Sequence, residues 1–96
     1  MYRITDEKGS GKTKKLMLLA KENNGIIVCE NPYAMANKAE AYGITGINFV
    51  SYYDFMNANN PIEGKYYIDE LESFIKKVQH SCGSTGVFDG YTISLE

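Results

Sequence analysis

Short apolar runs alternate along the chain with longer stretches whose apolar residues recur every three or four positions. The opening run Tyr2-Arg3-Ile4-Thr5 predicts a first strand. Leu16, Leu19 and Ala20, with Met17 alongside, then share one face of a helix expected over residues 11–22, and Lys14, Lys15 and Lys21 mark its wet side. Asn23-Asn24-Gly25 ends that helix, with Gly25 expected to take the left-handed conformation. Ile26-Ile27-Val28-Cys29 is a continuous apolar run, three of its four residues β-branched, as suits a strand buried on both faces of a parallel sheet.

The alternation continues. Asn31-Pro32 reads as N-cap and first residue of a helix over residues 32–41, stopped at Gly43, with Met35, Ala39 and Tyr42 at helical spacing. Ile47-Asn48-Phe49-Val50 predicts the third strand, and Ser51-Tyr52-Tyr53-Asp54 resembles a capping box opening a short helix to about Asn57. The polar stretch Asn57-Ala58-Asn59-Asn60-Pro61 predicts a mobile loop. Lys65-Tyr66-Tyr67-Ile68-Asp69-Glu70 reads as a strand ending in two adjacent carboxylates, followed by a helix to about Gln79 with Leu71, Phe74, Ile75 and Val78 on its apolar face. After a loop over residues 81–86, Tyr91-Thr92-Ile93-Ser94-Leu95 is a last strand with period-two alternation. It either enters the sheet or pairs with Val87-Phe88 across Asp89-Gly90 as a hairpin. The alternation points to one exposed face. The series predicts one domain over residues 1–96: a three-layer α/β/α architecture with a mainly parallel sheet and helices on both faces.

Composition narrows the class. Ninety-six residues with 44% hydrophobic and 23% charged content fit a soluble globular domain near the small end for a self-sufficient core. The net charge of −2 gives no global basic field for nucleic acid, which this domain alone is not expected to bind. No apolar run approaches a membrane span and the N-terminus carries no signal-peptide pattern, so no membrane partner is expected. Cys29 and Cys82 have no metal-ligand spacing and are expected to be reduced thiols of a cytoplasmic protein. His80, the one histidine, falls at a predicted helix end, where a solvated cap is expected.

Candidate chemistry lies in two stretches. Asp6-Glu7-Lys8-Gly9-Ser10-Gly11-Lys12-Thr13 joins the first strand to the first helix and fits the phosphate-loop spacing G-x-x-x-x-G-K-[ST], with Asp6 where the leading glycine belongs. Gly9 and Gly11 let the backbone curl its N–H groups inward, and the helix start adds further unpaired donors and the positive end of its dipole. Lys12 supplies charge for the β- and γ-phosphates, and the Thr13 hydroxyl suits Mg²⁺. Residues Lys8, Gly9, Ser10, Gly11, Lys12, Thr13 and Lys14 form the candidate nucleotide-binding set. A loop that merely caps a helix is the bland alternative. Asp6 would repel phosphate and pair with Lys8 or Lys12, which predicts weakened affinity.

The second stretch is Asp69-Glu70. Phosphoryl transfer needs a metal beside the phosphates and a positioned water. Asp69 suits the metal's hydration shell, with Thr13 as the other metal residue; Glu70 suits the water, and with Lys12 completes the candidate catalytic pair. Acids favoured at any helix N-terminus are the structural alternative.

At these residues the chain resembles the P-loop NTPases, in particular the branch with an extra catalytic glutamate after the metal-holding aspartate. Asp6 to Thr13 looks like Walker A and Tyr66 to Glu70 like Walker B. The opening Met-Tyr-Arg-Ile-Thr with Gly-Ser-Gly-Lys-Thr is similar to small phage and prophage ATP-binding proteins and to zonula occludens toxin-like phage assembly ATPases. The resemblance implies ATP or another NTP with Mg²⁺ as cofactors, slow or partner-stimulated hydrolysis, and a protein partner or homo-oligomer. It also implies a Walker B strand near the first strand, with the last strand between them. No sensor residue or arginine finger is assignable; Arg3 is the one arginine. Two other functions compete. One is a degenerate, non-hydrolysing interaction module, suggested by Asp6, the short chain and eight tyrosines. The other is a small-molecule or nucleotide kinase, which would need a lid, with residues 57–64 the candidate.

Overall fold

The computed structural model describes residues 2–7, 11–57, 64–78 and 90–95; within these, the side chains of Tyr2, Asp6, Glu7, Val78, Ser94 and Leu95 are left undescribed. Strands and helices alternate as β1 (Tyr2–Glu7), α1 (Lys12–Glu22), β2 (Ile26–Cys29), α2 (Pro32–Ala41), β3 (Asn48–Ser51), α3 (Tyr52–Met56), β4 (Tyr66–Ile68), α4 (Leu71–Val78) and β5 (Gly90–Leu95). All pairings are parallel, in the order β1-β5-β4-β2-β3. Among the described residues no helix is long and apolar enough to cross a membrane.

The caps explain where the helices start. Asn31 Oδ1 accepts the Ala34 N–H at 3.2 Å with Pro32 as first helical residue, and Ser51 Oγ accepts the Asp54 N–H at 3.0 Å. Alternation within the buried strands separates the two faces. Ile27, Cys29 and Tyr67 pack with Leu16, Met17, Ala20, Met35 and Ala39 from α1 and α2. Val28 and Ile68 point to the other side and pack with Tyr52, Phe55, Met56 and Phe74 from α3 and α4. Two helices therefore cover each face of a parallel sheet, a three-layer α/β/α arrangement.

Two expectations change, and one left open is decided. The helix α1 turn uses Asn24, not Gly25, in the left-handed region, at φ 53°. Gly25 is required for a different reason. A Cβ there would run into the ring of fully buried Tyr67 and stand 3.2 Å from the Lys65 carbonyl. The first strand does not stop at Thr5. It continues through Asp6 and Glu7 because β5 runs alongside, pairing Asp6 with Ser94 and Glu7 with Leu95. The last strand takes the first of its two alternatives: β5 enters the sheet between β1 and β4, the place the resemblance implied, and Thr92 is fully buried despite the alternating pattern. Val87-Phe88, His80, Cys82 and most of the 57–64 lid candidate lie outside the described residues.

Candidate functional site

Because every strand runs the same way, all the strand C-termini share one edge of the sheet. There α1 departs from β1 toward one face and α4 departs from β4 toward the other, as their separate core clusters show. Open α/β sheets bind ligands outside the strand C-termini where connections diverge in this manner. Only β5 separates the two departure points.

From the α1 side, Gly11 caps the helix in the left-handed conformation, φ 85° and ψ 17°. A Cβ there would meet nothing within 4 Å, so the torsion alone explains the glycine. Gly11 carbonyl accepts the Lys15 N–H at 3.1 Å, closing the first turn. Lys12 is 5% exposed, rare for a lysine, and Thr13 is half-buried. Lys14 is exposed, its Nζ 5.6 Å from the centroid of the Tyr42 ring. Lys8, Gly9 and Ser10 lie outside the described residues. With β1 reaching Glu7 and α1 starting at Lys12, only residues 8–11 separate strand from helix.

From the β4 side, Asp69 is 8% exposed, and its N–H donates to the Val28 carbonyl at 2.9 Å. One carboxylate oxygen, Oδ1, accepts the Thr13 hydroxyl at 3.2 Å and the Thr92 hydroxyl at 2.9 Å. These bonds run across the sheet edge to α1 and β5, so Asp69 does more than acidify the start of its own helix. Glu70 performs the capping instead, through its backbone: its carbonyl accepts the Ser73 and Phe74 N–H groups at 3.0 and 3.2 Å. Glu70 is half-buried and adopts φ 56°, a left-handed torsion costing a non-glycine residue about 1–3 kcal/mol, which surrounding contacts must offset.

Two further residues complete the cluster. Thr92 accepts the Glu70 N–H at 2.7 Å while donating to Asp69, so a single hydroxyl ties both acidic residues to β5. Tyr52, at the start of α3, donates its buried hydroxyl to the Asp69 carbonyl at 2.5 Å. Burial foremost, then the negative charge of Asp69 and Glu70, pushes the Tyr52 phenol above its ordinary range. Burial and Asp69 likewise push the Cys29 thiol up to about 12. Cys29 is a free thiol whose Sγ lies 3.7 Å from the Val50 carbonyl. The sequence showed Thr92 only as one position of an alternating strand. Its signal becomes readable once β5 is central, since a hydroxyl in a buried strand needs partners.

A hydroxyl beside a carboxylate is a hard-oxygen pair of the type Mg²⁺ takes, alongside water and substrate oxygens. Among the described residues there is no group of three or more His, Cys, Asp or Glu side chains that could hold a metal without such outside ligands. Compared with protein-family models, curated proteins and solved structures, the chain matches none of them.

Proposed function

We propose that this domain binds Mg-ATP, or another NTP, at the strand C-terminal edge and hydrolyses it slowly or when stimulated by a protein partner. The observation that carries this is the hydrogen bond joining Thr13, directly after Gly11-Lys12, to Asp69 at the end of β4. Two stretches that the sequence singles out separately, one by motif spacing and one by adjacent carboxylates at a strand end, meet there. Lys12 would neutralise the β- and γ-phosphates, Thr13 and Asp69 would hold Mg²⁺ directly or through its waters, and Glu70 would orient the attacking water. When bound, Mg²⁺ supplies charge neutralisation on the phosphates. A phage-related role follows from the resemblance alone, and a cytoplasmic location from the cysteine usage.

A second reading, a non-hydrolysing interaction module, is favoured by one observation: the β1–β5 ladder runs through Asp6 and Glu7, leaving few residues to wrap a phosphate. Tyr33 and Tyr53, 86% and 70% exposed, suit a contact surface. A thermal-shift series with ATP, GTP and Mg²⁺ separates the two. Nucleotide stabilisation in the wild type that disappears in Lys12→Ala supports the nucleotide site; no stabilisation in the wild type leaves the module. Phosphate release by Glu70→Gln then reads hydrolysis, with a rate equal to wild type excluding Glu70 as the water-orienting group.

A further inference from the structure

The peptide unit between Asp69 and Glu70 is gripped at both poles. Its carbonyl oxygen accepts the Tyr52 hydroxyl at 2.5 Å, and its N–H donates to Thr92 Oγ1 at 2.7 Å. The two gripping side chains come from different elements, α3 and β5, on either side of β4 in the chain. A peptide is planar, so holding both ends sets its tilt and with it ψ of Asp69 and φ of Glu70. That second torsion is the left-handed one, at 56°.

We propose that Tyr52 is a positioning residue for phosphoryl chemistry at this site: its hydroxyl holds the Asp69–Glu70 peptide so that the two successive carboxyl groups keep fixed relative directions. This rests on the nucleotide-site reading proposed above. Several features suit Tyr52 to the task. It is 4% exposed, and its ring meets Phe74 edge-on at 5.5 Å and 72°, so its direction is set by packing. Phe74 in turn donates its N–H to the Glu70 carbonyl, which ties ring and turn into one unit. A second contact from the hydroxyl to the Glu70 carbonyl is longer, 3.4 Å, and the one proton goes to the nearer Asp69 oxygen. The hydroxyl reaches the turn, while the ring packs in the core with Phe55, Met56 and Phe74. Phenylalanine therefore preserves packing while releasing one pole of the peptide.

The test uses the full chain and two readouts. Without nucleotide, amide hydrogen exchange at Glu70 in Tyr52→Phe is expected to accelerate about tenfold while exchange at Ile27 in the core stays put. In Mg-ATP turnover the same variant is expected to lose about tenfold or more in kcat, with KM changed by less than about twofold. Unchanged exchange at Glu70 overturns the clamp, whatever the site binds. Faster exchange in a protein whose wild type neither binds nor turns over Mg-ATP removes the nucleotide site, and the positioning role with it. Faster exchange with kcat, KM and thermal midpoint all worsening together marks a structural tyrosine and also overturns the proposal.

Discussion

Thr13 and Asp69 stand 56 positions apart in the chain and one hydrogen bond apart in space, 3.2 Å from hydroxyl to carboxylate. The bond spans from the first turn of α1 to the end of β4, with Thr92 of β5 bonded to the same carboxylate oxygen. A half-buried hydroxyl is thus held against a buried carboxylate at the edge where a parallel sheet binds ligands.

Thr13→Val replaces the hydroxyl with a methyl of similar size. Its expected effect on stability is a loss of about 1 kcal/mol, since Asp69 keeps its bond to Thr92. Its expected effect on ligand is sharper. Calorimetric titration of ATP should show wild-type affinity rising with Mg²⁺, and the variant binding equally with Mg²⁺ and with EDTA. Persistent Mg²⁺ dependence in the variant removes Thr13 from the metal.

Asp6 belongs to the β1 ladder opposite Ser94, so glycine there would alter the strand as well as the charge. Asp6→Asn changes only the charge. If the carboxylate opposes phosphate, ATP should bind about threefold tighter or better in the asparagine variant, roughly the effect of losing a partly screened repulsion. Equal or weaker binding removes the repulsion.

Gly25→Ala forces a methyl against the ring of Tyr67. Overpacking of this type costs about 1–3 kcal/mol, measurable as a lower urea midpoint at unchanged slope. Asn24→Gly is the contrast, because Asn24 holds the left-handed torsion that glycine adopts freely. It should leave the midpoint nearly where it was. A harmless Gly25→Ala would mean that Tyr67 has room to move.

Alkali should unfold the protein through its buried neutral acids. Cys29 is raised to about 12, so the folded chain holds a proton that the unfolded chain releases from about pH 9. The stabilisation is complete below that ordinary value and is lost as pH climbs through the window up to about 12. Tyr52 shifts in the same direction and adds to the slope. Denaturant midpoints measured between pH 8 and 11 should fall steadily in the wild type and less steeply in Cys29→Ala. Identical slopes would show that the thiol titrates normally.

Much of the local structure was legible beforehand. Asn31-Pro32 and Ser51 through Asp54 announced the starts of α2 and α3, because capping is a matter of a few neighbouring residues. The apolar run at residues 26–29 announced a strand buried on both faces, and all four of its residues are buried. At the candidate site, Thr13 was named from motif spacing and Asp69 as a carboxylate ending an apolar strand, but nothing in the chain said that they would touch. Tyr52 and Thr92 were invisible as site residues, since one read as an inner position of a capping box and the other as one rung of an alternating strand.

The sequence by itself determined the elements and their order and singled out the candidate site residues, because periodicity, caps and loop glycines act over a few positions. Only the tertiary structure decided between the sheet and the hairpin for β5, carried β1 through Asp6, and let Thr13 and Thr92 share Asp69. Strand order depends on which distant backbones find each other and which apolar faces they cover together. Such pairings are chosen by the whole fold at once and leave no local mark on the residues they join.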